Sequence, residues 1–222
     1  MRLAALAVVS VMACGTAAAC FDCVWGVANS GEEPWPGPPA QTFWTVFEEG
    51  DLPPGTLPSI PGGPVPYEGG VVFQINSASA PSGGYIHGVK WWKDVNEVGT
   101  HHVSLWDAAG SNMYTEEQVG ETASGWQTQL FTTPRAVVAD TTYIASAYKA
   151  YGVGLAEPSP YSFDGTEISN GPIRFLANDD PDVGAGQGRR SVTGVGVPTY
   201  PDLETGASGR NQFIDIVFSE SQ

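Results

Sequence analysis

The sequence predicts an all-β fold, a two-sheet antiparallel β-sandwich of jelly-roll-like type. Three observations predict it. The 222 residues include 28 Gly and 18 Pro but only 15% charged residues, the balance of a turn-rich chain with short strands. Two runs alternate with period two around a corner, Gly125 to Phe131 and Thr142 to Tyr148. No stretch has a convincing helical period, and about eight to ten short strands separated by turn residues account for the rest.

The chain begins with a targeting pattern. Arg2 supplies a positive start, Leu3 to Met12 an apolar run, and Ala17-Ala18-Ala19 a small-residue cleavage site. Residues 1–19 are therefore expected to be a signal peptide, and the protein to be secreted. No other stretch is long and apolar enough to span a membrane. The three cysteines, Cys14, Cys20 and Cys23, all lie in this region. After cleavage at Ala19, Cys20 is either a lipid-anchor site or half of a local disulfide with Cys23, the default for an exported C-x-x-C. Residues 20–41 are rich in Pro, Gly and Glu and read as an exposed lead-in. A single domain over residues 42–219 follows.

Thr42 to Phe47 is the first expected strand. Asp51 to Gly70, with six prolines, is expected to be a long loop. Gly70 to Asn76 alternates. Tyr85 to Lys93 is a strand in which Gly88 marks a bulge, so that the inward phase passes from Ile86 to Val89 and Trp91. His101 to Trp106 presents His101, Val103 and Leu105 on one face. Asp107 to Gly110 turns the chain into Asn112 to Val119. In the next strand Trp126, Thr128 and Leu130 share one face, and Gln127, Gln129 and Phe131 the other. Pro134, with no N–H for a ladder, is expected to end it, and Ala139-Asp140-Thr141 to form the turn. Lys149 to Phe163 reads as a loop, Gly171 to Leu176 as a short strand, Ala177 to Gly188 as a polar loop. Ser191 to Tyr200 holds another short strand. Phe213 to Phe218 closes the fold, with Ile214, Ile216 and Phe218 as its apolar face.

The segments IHGVKWWK, GTHHVSLWDAAG, GETASGWQTQLFTTPRAVVADTTYIASAY, SNGPI and NQFIDIVF occur in an order and spacing that resembles the secreted β-domain family called domain of unknown function 4082. The opening TFWTVF also looks like that family, so the resemblance runs from about Thr42 to Ser219. It implies a sandwich in secreted bacterial proteins, and a binding, adhesion or spacer role without a transferable activity. Three departures stand out. Gln129 and Lys149 occupy positions where the family more often has Val and His, and the loop from Asp51 to Gly69 is expanded.

The formal charge of −15 argues against nucleic acid and anionic membranes as partners. Trp91 and Trp92 must point to opposite faces of a strand. Trp91, Trp106 and Trp126 either fill the core or join a sugar-stacking platform. Trp92, with Tyr148, Tyr151 and Tyr161, is the expected ligand-binding set. His101 and His102 point apart and cannot form one metal site. Asn178, Asp180 and Asp182 alternate before Gly184, a spacing with which short loops wrap calcium, so a structural Ca2+ is the cofactor to test. No G-x-S-x-G, H-E-x-x-H or paired-carboxylate context points to catalysis. The expectation is a non-catalytic extracellular module that binds a glycan or a surface protein. A structural spacer is the alternative, and a glycan hydrolase has less support.

Overall fold

The computed structural model describes residues 41–47, 65–152, 163, 165–183, 187–192, 198–204 and 212–222. The expected signal peptide, the Cys20–Cys23 lead-in and Tyr161 lie outside these residues. Among the described residues the fold is all-β apart from one short 3-10 turn, Pro181–Val183.

Eleven strands follow in order: β1 (Val65–Ile75), β2 (Gly84–Lys93), β3 (His101–Asp107), β4 (Asn112–Glu117), β5 (Gly125–Val137), β6 (Tyr143–Gly152), β7 (Ile168–Asn170), β8 (Ile173–Phe175), β9 (Gly188–Val192), β10 (Leu203–Glu204) and β11 (Ile214–Ser219). The larger sheet runs β10-β9-β1-β6-β3-β4, with the β7–β8 hairpin joined to β1 beyond β9. The smaller sheet is β11-β2-β5. Every pairing is antiparallel, and the chain changes sheet after most of its early strands, the crossing habit of a jelly-roll sandwich.

The core lies where alternation places it. Val71, Phe73 and Ile75 of β1, Val103 and Leu105 of β3, and Ala145 and Ala147 of β6 pack in one cluster with Ile86, Val89 and Trp91 of β2 and Ile214, Ile216 and Phe218 of β11. Their neighbours in sequence form a second cluster on the far face of the larger sheet, where Val72, Trp106 and Ile144 pack under Leu176 and Val183. Trp106 is thus buried, but outside the space between the sheets. Its indole N–H donates to Ser146 Oγ (2.7 Å), which donates to the buried Glu68 carboxyl.

The Gly88 bulge is present: the β2–β5 register slips between Ile86 and Gly88. A Cβ at Gly88 would sit 2.2 Å from the Gln129 carbonyl oxygen, so only glycine allows the approach. The faces of β5 also follow the sequence, with the glutamines on the core side and Leu130 57% exposed.

Several boundaries differ from expectation. Pro134 does not end a strand, because among the described residues β5 is an edge that pairs with β2 alone and bulges between Leu130 and Arg135, where no N–H is demanded. β1 starts at Val65, inside the expected loop, because β6 and β9 flank it on both sides and satisfy its backbone. β6 continues to Gly152 for the same reason. β9 begins at Gly188 rather than Ser191, and the short strands β7 and β10 carried too little pattern to be read. Thr42 to Phe47 is not a strand. It forms a strap beside β11 with one bridge, Trp44 to Phe218.

Candidate functional site

At one end of the sandwich, alternation carries polar side chains into the space between the sheets. His101 continues the inward phase of Val103 and Leu105, and Lys149 that of Ala145 and Ala147. The β3–β6 register pairs these two residues directly. Both are buried, His101 at 0% and Lys149 at 1% exposure. The β2–β3 and β4–β5 loops supply the compensating groups. Lys149 Nζ donates to Glu97 Oε1 (2.8 Å) and to the Trp92 carbonyl (3.1 Å). Glu121 accepts from His101 Nδ1 (2.7 Å) through one oxygen and from Lys93 Nζ through the other. The Trp91 ring packs 4.8 Å from the His101 ring and 5.1 Å from the Lys149 ammonium, and its N–H donates to Gln118 Oε1 (3.0 Å).

The electrostatics follow from burial and pairing. Burial pulls the Lys149 ammonium down, but Glu97 and Tyr67 together outweigh it, so its pKa lies above the ordinary lysine value. Burial dominates at His101 and holds its pKa below the ordinary value, with Glu121 opposing. His101 is therefore a neutral imidazole at pH 7. Its Nδ1–H faces the Glu121 carboxylate, which only accepts, and its buried Nε2 has no hydrogen-bond partner among the described residues.

This arrangement holds two loops against the sandwich end and fixes the backbone of Trp92. Lys149 takes the Trp92 carbonyl, and the Trp92 N–H donates to the Phe213 carbonyl (2.9 Å). The Trp92 side chain lies on the opposite face of β2 from Trp91, half-buried, where it packs against the core cluster through Trp126, whose ring it meets edge-on at 5.7 Å. Trp92 and Trp126 are register partners, and exposed Thr128 and Leu130 continue the same face along β5.

The other expected ligand residues do not join Trp92. Tyr148 is fully buried on the far face of the larger sheet, with its ring 5.8 Å from His102. Its place one residue from Lys149 turns it outward, and cover over that face removes it from solvent, so the expected surface contact at Tyr148 is corrected. Tyr151 lies in β6, but its side chain is outside the description, as is Tyr161. His101 and His102 do point apart. His87 contacts Ser219 Oγ (2.7 Å) under the Phe43 ring.

In the 177–188 loop the three oxygen-bearing residues have different partners. Asn178 Oδ1 accepts from the Gln187 N–H (2.9 Å), Asp180 Oδ1 from the Asp182 N–H (2.9 Å), and Asp182 Oδ2 from Gln74 Nε2 (3.0 Å). Among the described residues no three His, Cys, Asp or Glu side chains form a group that could hold a metal ion, and no helix is long and apolar enough to cross a membrane.

Glu97, Glu121 and Lys93 were not singled out from sequence. The available signal was Lys149 itself: a lysine in the inward phase of a buried strand requires an acid nearby. Which acid could not be read, since Glu97 is 52 residues away and in a loop.

No curated protein and no solved structure matches the chain. A family match covers residues 57–206, a shorter span than the expected Thr42 to Ser219, and leaves out the 41–47 strap and β11. It takes in the strands and loops that build the polar cluster and Trp92. With more than half of its 222 residues matched, the chain belongs to the family described as Domain of unknown function (DUF4082).

Proposed function

We propose that the chain is a non-catalytic, exported binding module that recognises carbohydrate or another extracellular polymer through the face of the smaller sheet around Trp92. One observation carries this reading. Trp92 is a half-buried indole on a rigid base, held through its backbone by Lys149 and Phe213 and through its ring by Trp126. A fixed aromatic edge beside hydroxyl and aliphatic side chains suits the apolar face and the rim hydroxyls of a sugar ring, at little entropic cost on binding. Exposed Thr128, in the next pair along that face, supplies a hydroxyl, and exposed Leu130, a further pair along, an aliphatic group.

The test is a glycan array with the secreted form of the chain, in calcium and in chelator. Wild type should bind a defined set of glycans, and Trp92→Ala should lose the signal while its circular dichroism is unchanged. Binding that needs calcium and disappears in Asp180→Ala would move the site to the 177–188 loop. Absence of binding in both buffers would defeat the carbohydrate reading and leave a structural role ahead.

A further inference from the structure

The strap of residues 41–47 lies in a groove that reads its backbone. Trp44 exchanges two main-chain hydrogen bonds with Phe218 of β11 (2.8 and 3.0 Å). The Asp215 carboxylate accepts from the Val46 N–H (2.9 and 3.0 Å to its two oxygens) and the Phe47 N–H (2.7 Å). Lys90 Nζ donates to the Phe47 carbonyl (2.7 Å), and Asn170 Nδ2 to the Thr45 carbonyl (2.8 Å). Two aromatic side chains anchor the strap. The Trp44 ring covers Gly171, where an added Cβ would lie 2.3 Å from it, and Phe47 stacks on Trp126 at 5.7 Å.

We propose that this groove also accepts residues 41–47 of a second copy of the chain, so that copies exchange straps. Three features lead there. Asp215 is buried, at 0% exposure, and of the three backbone N–H groups that donate to it, those of Val46 and Phe47 belong to the strap and that of Ile216 to β11, so an emptied groove costs this carboxylate two donors and favours refilling. The recognition is one edge bridge, Trp44 to Phe218, reinforced by side chains that bind the strap's backbone and by two aromatic anchors, contacts that a segment from another chain can make as well as the chain's own. Finally, residues 48–64, seventeen residues of which five are proline, connect the strap to β1 along the chain, and no ladder among the described strands breaks when the strap leaves. A strap from another copy brings identical contacts. Exchange therefore trades only the local concentration set by that connector against the concentration of the protein.

Two full-length chains with different affinity tags, mixed in reductant so that Cys20 and Cys23 cannot link them, test this by native mass spectrometry after warming below the unfolding transition. Mixed species should form. A partner carrying Trp44→Ala and Phe47→Ala, whose own strap binds poorly, should raise their yield, and excess synthetic peptide of residues 41–47 should suppress them about tenfold by competing for the groove. Chains that never mix, or that mix equally with and without the peptide, would overturn the proposal. Hydrogen exchange on the wild type gives a reading that needs no variant. The Val46 and Phe47 amides should exchange at least about tenfold faster than β2 core amides, through local opening. Exchange of both sets only with global unfolding would count against a strap that leaves on its own.

Discussion

His101 and Lys149 stand directly opposite each other on β3 and β6, and each is answered by a glutamate from a different loop. One is a neutral imidazole and the other an ammonium, at the same depth of the sandwich. Burial outweighs the Glu121 contact at His101, whereas Glu97 and Tyr67 overcome it at Lys149. The network stiffens the loop end and carries the Trp92 backbone with it.

The Lys149–Glu97 pair should cost more to break than to replace. Lys149→Met alone leaves the Glu97 carboxylate buried without its cation, and stability in urea should drop by about 3–5 kcal/mol. Lys149→Met combined with Glu97→Leu should recover most of that loss. A double variant as unstable as the single one would show that the β2–β3 loop depends on the charge itself.

His101 should make the fold acid-sensitive. Its folded pKa lies below the unfolded value of about 6.5, so the unfolded chain takes up the proton first as pH falls. Its contribution is present above about pH 6.5 and is lost as pH falls through the folded pKa. His101→Gln, which retains a donor toward Glu121, should flatten this part of the stability–pH curve. Parallel curves for variant and wild type between about pH 5 and 7 would assign the acid sensitivity elsewhere.

Glu68 works in the opposite sense. Burial pushes its carboxyl up to about 8, against the hydrogen bond from Ser146. Its stabilising contribution is complete below the unfolded value of about 4.5 and declines as pH rises toward about 8. Glu68→Gln keeps an acceptor for Ser146 without the titration. It should be the more stable protein at pH 8, by an amount on the order of a few kcal/mol, with little difference at pH 4. Thermal melts across this range decide it, and no gain at pH 8 would remove Glu68 as the titrating group.

Gly88→Ala should destabilise the smaller sheet by about 2–3 kcal/mol, since the new methyl meets the Gln129 carbonyl and the bulge must shift. Tryptophan fluorescence would report it, because Trp91 and Trp92 follow on the same strand. A neutral substitution would mean that the β2–β5 register relaxes without cost.

Much of the sandwich was legible in residues that alternate. Ile86, Val89 and Trp91, then Val103 and Leu105, then Ile214, Ile216 and Phe218 all fall where their phase puts them. What period two cannot show is which outward face another part of the chain covers. Tyr148 and Trp106 are outward by phase yet buried, and for Trp106 the cover includes Leu176 and Val183, remote in sequence. Pro134 misled because a rule about ladders applies to paired N–H groups, and an edge strand presents positions that pair with nothing. At the site, His101 and the Trp91–Trp92 division were readable. The acids were not, because loop glutamates carry no period that ties them to a strand.

The two borders of the smaller sheet differ in what lies along them. The β11 side is occupied by the chain's own residues 41–47. The β5 side is long, thirteen residues, and pairs with no further strand among those described, which is the geometry that invites uncontrolled stacking of molecules. Pro134 and the slipped register beside it interrupt that border near its middle. A foreign strand laid along it would find a missing donor and a change of phase before it could form a continuous ladder. The residue that looked like the end of a strand thus acts as a guard against polymerisation along the β5 border.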